Sequence, residues 1–132
     1  MDIDHIIMYT TAGLGTTWLV YLGYIYVASK AMTGLEVKAI SKELPFEPSQ
    51  ASYFIYCFAP NCGPCKFLSP LVDKLVDEGI EFHKVDIARH YAFGKDLGIR
   101  TSPTIVKVVN NKVIDVLVGG QQEHKLRNWI AQ

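Results

Sequence analysis

Three cysteines occur in the chain, and two of them, Cys62 and Cys65, bracket Gly63 and Pro64 in a Cys-x-x-Cys spacing. The pair stands where an apolar run hands over to a helical pattern, which puts Cys62 at a helix N-terminus and Cys65 one turn inside. Unpaired N–H groups and the positive end of the helix dipole stabilise an anion there, so the Cys62 thiol is expected to face solvent and to titrate below the ordinary value of about 8.5. Only the thiolate attacks a disulfide, and the two-residue spacer lets the second sulfur close a ring with the first once a mixed disulfide has formed. On this reading Cys62 attacks and Cys65 resolves. The rival is half of a zinc site, but no second Cys-x-x-Cys or Cys-x-x-His follows, and His83, His90 and His124 stand singly. Neither a metal nor a cofactor is therefore expected. Cys57, in the middle of an apolar run, reads as a small buried hydrophobe.

The elements that must position the pair follow from periodicity. Residues 52–58, SYFIYCF, are apolar on both faces, as a central strand covered on each side should be. A helix is expected from about Cys62 to Glu78, carried by Phe67, Leu68, Leu71, Val72, Leu75 and Val76, closed by Gly79 and kinked at Pro70. Ile80 to Asp86 alternates as a strand, and Arg89 to Leu97 reads as a weaker helix ended by Gly98. Thr104 to Val109 and Val113 to Val118 form a hairpin across Asn110, Asn111 and Lys112, because asparagine tolerates positive φ. A closing helix places Leu126, Trp129 and Ile130 on one face. The order β-α-β-α-β-β-α predicts a mixed four-stranded sheet with helices on both faces, its two early crossovers parallel and its hairpin antiparallel.

The 132 residues carry 13 Lys plus Arg against 13 Asp plus Glu. That balance leaves no nucleic-acid footprint, and the length allows one small domain with an accessory segment. The odd cysteine count argues against a disulfide-stapled secreted fold. From Ile6 to Ser29 no Asp, Glu, Lys, Arg or His occurs. A helix of that length reaches about 36 Å, enough for a hydrocarbon core of about 30 Å, so a membrane-spanning helix is expected. Tyr9, Tyr24 and Tyr26 fit interfacial anchoring, whereas the mid-span Trp18 and the small residues Ala12, Gly13, Gly15, Thr16 and Thr17 suit a partner helix. Asp2, Asp4 and His5 are the wrong flank for a cleaved signal peptide. Lys30, Lys38 and Lys42 follow the span and would hold the rest of the chain in the cytoplasm. Residues 31–44 read as a short amphipathic helix through Leu35, Ala39, Ile40 and Leu44, stopped by Pro45 and Pro48. The resulting division is a membrane helix over 1–29, a connector over 30–50 and a folded domain over 51–132.

Three separated stretches, FAPNCGPCKFLSP, GIRTSPTIVKV and VGG, occur in that order, and through them the chain from about Ser52 to Gln132 resembles the thioredoxin family. The resemblance implies an α/β three-layer sandwich with Cys62 as nucleophile and Cys65 as resolving thiol. Gly63 and Pro64 would form the spacer, Pro64 setting the redox potential, and Pro103 would be a cis-proline that presents the backbone of Ser102 to a substrate strand opposite Cys62. Gly119 would keep the approach open. Several positions depart from the family. Asn61 stands where a Trp is usual, Tyr56 replaces a buried Asp that accepts the Cys65 proton, and nothing in 45–51 supplies the first strand and helix of full-length members. Lys84 matches a lysine often found near that Asp and would help a thiolate if it pointed inward. The function implied is a membrane-tethered reductase of protein disulfides, its substrates at the lipid bilayer and its dithiol restored by an external reductase or small thiol. Two alternatives are a non-catalytic docking subunit of a membrane assembly and, with the orientation reversed, an outward-facing reductase of the cytochrome c maturation type.

Overall fold

The computed structural model describes residues 2–37 and 44–132. Its centre is β1 (Ser52–Phe58), which pairs in parallel with β2 (Phe82–Asp86) on one side and antiparallel with β3 (Thr104–Val109) on the other. A hairpin adds β4 (Lys112–Val118), giving the order β2-β1-β3-β4. Alternation along β1 sends Tyr53, Ile55 and Cys57 to one face and Phe54 and Tyr56 to the other. The first face packs with Val106, Val108 and Val116 under Phe93 and Leu97 of α3 (Tyr91–Leu97). The second is covered by Leu68, Val72 and Leu75 of α2 (Gly63–Asp77) and by Leu126 and Trp129 of α4 (Glu123–Ala131). Each such aliphatic side chain contributes roughly 1.5–3 kcal/mol by leaving water, so both faces are held independently.

The second crossover differs from expectation, because β3 runs opposite to its neighbour β1 and therefore opposite to β2. Helix length is the reason. The 15 residues of α2 reach about 22 Å and return the chain along the full sheet, but the seven of α3 reach only about 10 Å. The chain therefore enters β3 at the end of the sheet where β2 finished, and Cys57, near the end of β1, pairs with Thr104 at the start of β3. The hairpin is as expected, with Asn110 at φ 51° and Asn111 at φ 67°.

The N-terminal segment forms a helix, α1 (Ile3–Lys30), whose threonines bond back to carbonyls of the preceding turn, as Thr17 does to Gly13 at 2.8 Å. The membrane span is corrected: among the described residues no helix is long and apolar enough to cross a membrane. Four threonines, three glycines and four tyrosines between Ile6 and Ser29 dilute the apolar content that the absence of charge suggested. Lys30, in the last turn of α1, anchors the helix to the domain, pairing with Asp115 and donating to the Val116 carbonyl at 2.8 Å. Ser29 is buried at this contact and the rest of α1 is largely exposed.

Of the amphipathic helix expected over 31–44, residues 31–36 form a turn and a bridge rather than a helix, and Val37 is helical. After a turn at Gly34 (φ 92°) the backbone runs along β4, with Val113 N–H donating to Leu35 and Val37 N–H to Asn111, both at 2.9 Å, and a bridge from Glu36 to Lys112. This pairing shields the outer edge of the sheet. Residues 38–43, including Lys38 and Lys42, lie outside the described residues.

Candidate active site

Cys62 is the N-cap of α2, held extended at φ −91° and ψ 113°. The Cys62 sulfur caps the helix, accepting the Cys65 N–H at 3.2 Å. Pro64 follows in the first turn, where its missing N–H leaves no helical bond unmade. Cys62 and Cys65 are joined as a disulfide with their Cα atoms 5.2 Å apart. The expected solvent-facing sulfur is more sheltered than the sequence suggested, since Cys62 is 9% exposed and Cys65 3%. Cys62 is the more exposed residue of the two, and Asn61, Gly63 and Pro64 around it are exposed.

The same end of the sheet gathers the other matched positions. Ser102–Pro103 is a cis peptide immediately before β3. Val118 closes β4 opposite Thr104, and the next residue, Gly119, donates its N–H to the Pro103 carbonyl at 2.9 Å. Gly119 has φ 90°, and a Cβ built on it would meet no atom within 4 Å. Its requirement is thus conformational, and the space beside it is open.

Tyr56 lies behind the pair, fully buried. Its hydroxyl donates to the Cys65 carbonyl at 3.3 Å and lies 2.9 Å from the hydroxyl of Ser69. Burial pushes the phenol above its ordinary value, so it stays protonated and acts as a hydrogen-bond donor. Lys84, the register partner of Tyr56 on β2, directs its ammonium to Asp73 of α2 at 2.7 Å. Cys57 is wholly buried in the first core, and desolvation pushes its thiol up to about 12.

Two residues escaped the sequence reading. Ser69 gave no signal, because a serine one turn beyond a cysteine is unremarkable until Tyr56 is seen opposite. Phe67 was placed on the apolar face of its helix, yet it is 85% exposed. The buried stripe is Leu68, Val72 and Leu75, and Phe67, one residue before it, is rotated about 100° off that face.

The sequence model of the thioredoxin family matches residues 38–132. The chain is 32% identical over 78 residues to a thioredoxin of Haemophilus influenzae, covering 57% of this chain and 73% of that protein. It is 36% identical over 79 residues to a thioredoxin of Malassezia sympodialis, covering 57% and 74%. Among solved structures, that of Fasciola hepatica thioredoxin superimposes with a TM-score of 0.57 at 32% identity, over 61% of this chain and 78% of that one.

Proposed function

This chain belongs to the thioredoxin family and is a thiol–disulfide oxidoreductase, and from that premise we propose that it works as a reductant of protein disulfides through Cys62 and Cys65. The Cys62 thiolate attacks one sulfur of the substrate disulfide, forming a mixed disulfide and releasing the other substrate sulfur as a thiolate that takes a proton from water. The Cys65 thiol then loses its proton, its sulfur attacks Cys62, and the second substrate thiol leaves. Two electrons have passed to the substrate and the protein is left with the Cys62–Cys65 bond. A dithiol or an external reductase returns the two electrons and closes the cycle.

The observation that carries this reading is the bond from the Cys65 N–H to the Cys62 sulfur at the start of α2. It is a charge-assisted contact once the sulfur is a thiolate, and it costs no rearrangement at the moment of attack. The test is reduction of insulin disulfides by the full chain, with Cys62→Ser and Cys65→Ser beside it. The proposal expects turnover in the unmodified chain, none in Cys62→Ser, and a trapped mixed disulfide in Cys65→Ser. Turnover no faster than in the serine variants would instead favour a docking role for the domain.

A further inference from the structure

Beside the redox pair lies an open groove of about 490 Å³. One wall is Gly63, Pro64, Phe67 and Leu68 of α2, and the other is Gly120, Gln121 and Gln122, between β4 and α4. Ser102 and Pro103 do not line it, so it is separate from the backbone edge at the cis-proline. None of its residues is charged. Phe67 is the most exposed large apolar side chain among the described residues, an aromatic ring left in water one turn from the disulfide.

We propose that this groove is a selectivity pocket for an apolar side chain next to the substrate's reactive cysteine. The inference rests on the reductase reading and names a feature of its substrates. Gly63 and Pro64 belong both to the groove and to the ring closed by Cys62 and Cys65. A substrate chain whose sulfur is bonded to Cys62 therefore has its next residue or two within reach, at about 3.5 Å per residue. Asn61, just before the first cysteine, is polar, and Phe67 supplies an exposed aromatic surface on the wall of the groove. A Cβ on Gly120 would lie 3.5 Å from the Pro64 Cβ, an ordinary contact, so a side chain larger than alanine there would fill the space between the two walls.

The test uses the full chain and two disulfide-linked peptides that differ only in Leu or Ser beside the cysteine. Partial burial of the leucine gives an expected kcat/KM ratio of about tenfold in its favour. Phe67→Ala and Gly120→Val, which open and fill the groove from opposite walls, each bring the ratio below about twofold, whereas Val76→Ala on the same helix leaves it at about tenfold. Equal rates on the two peptides in the unmodified chain overturn the pocket while leaving the reductase standing. Reduction of neither peptide removes the reductase reading and the pocket together. A dimer of the reduced chain that Phe67→Ala dissolves in sedimentation assigns the groove to a second copy and overturns the substrate assignment.

Discussion

The hydroxyls of Tyr56 and Ser69 lie 2.9 Å apart beneath the first turns of α2, and the phenol also reaches the Cys65 carbonyl at 3.3 Å. With the phenol donating to that carbonyl, Ser69 donates to the phenol. The central strand is thereby tied to the turn that carries the resolving cysteine. Where the family has a buried carboxylate this chain has a neutral donor, and the carboxylate of Asp73 is engaged by Lys84. The position fixes Cys65 without offering a base for its proton.

Resolution is therefore expected to follow the ionisation of Cys65 itself. A phenol raised by burial cannot take a proton near neutrality, so the rate of mixed-disulfide decay should keep climbing with pH through neutrality and above it. Single-turnover rates across pH measure this. An inflection between about pH 5 and about pH 7 would reveal a carboxylate base and contradict the account.

Tyr56→Phe keeps the ring and removes the tie. A loss of about 1 kcal/mol in unfolding free energy is expected, since one net hydrogen bond is lost at a buried site. Combined with Ser69→Ala, the second substitution should add less than it costs alone, by about 0.5 kcal/mol or more. Additive losses in denaturant titration would show that the two hydroxyls do not act together.

Cys57 should be inert. Its thiol, pushed up to about 12 and wholly buried, is protonated at neutral pH and out of reach of alkylating agents. Iodoacetamide on the reduced native protein should label Cys62 and leave Cys57, which reacts only after denaturation. Mass spectrometry of the labelled chain reads the outcome directly.

Asp115 ties α1 to the domain through Lys30 and also accepts the Trp129 indole N–H at 2.7 Å. Burial works to raise its carboxyl, but hydrogen bonds from Lys30, Trp129 and the Val116 N–H outweigh it and leave the group below its ordinary value. The stabilisation is complete above the unfolded value of about 3.9 and is lost as pH falls through the lower folded one. Asp115→Asn should weaken the anchor by about 1 kcal/mol, the pair being partly exposed. Trypsin cleavage after Lys30 should quicken about fivefold as a result; an unchanged cleavage rate would show that α1 is held by something else.

What the sequence disclosed was whatever a local pattern can encode. The two-faced apolar run of β1, the Asn110–Asn111 turn and the cysteine spacing each stand within a few residues. The direction of β3 depends on the length of α3 relative to the sheet, which no local pattern encodes. Phe67 reads as core from sequence because an apolar residue beside an apolar stripe looks like part of it until the 100° rotation is applied. The Lys30–Asp115 contact joins residues 85 apart, and the Tyr56–Ser69 contact needs a strand laid under a helix. Neither has a local signature. The apparent span failed for another reason: freedom from charge is not the same as hydropathy.

The reactivity assigned to Cys62 can be read by titrating the reduced Cys65→Ser chain, following the thiolate absorbance and the rate of alkylation at Cys62 together. Cys57 stays silent over the relevant range, and the residue 65 N–H that caps the sulfur is retained. The account predicts a single transition below about 8.5, with alkylation tracking it. A midpoint at or above that value would contradict it.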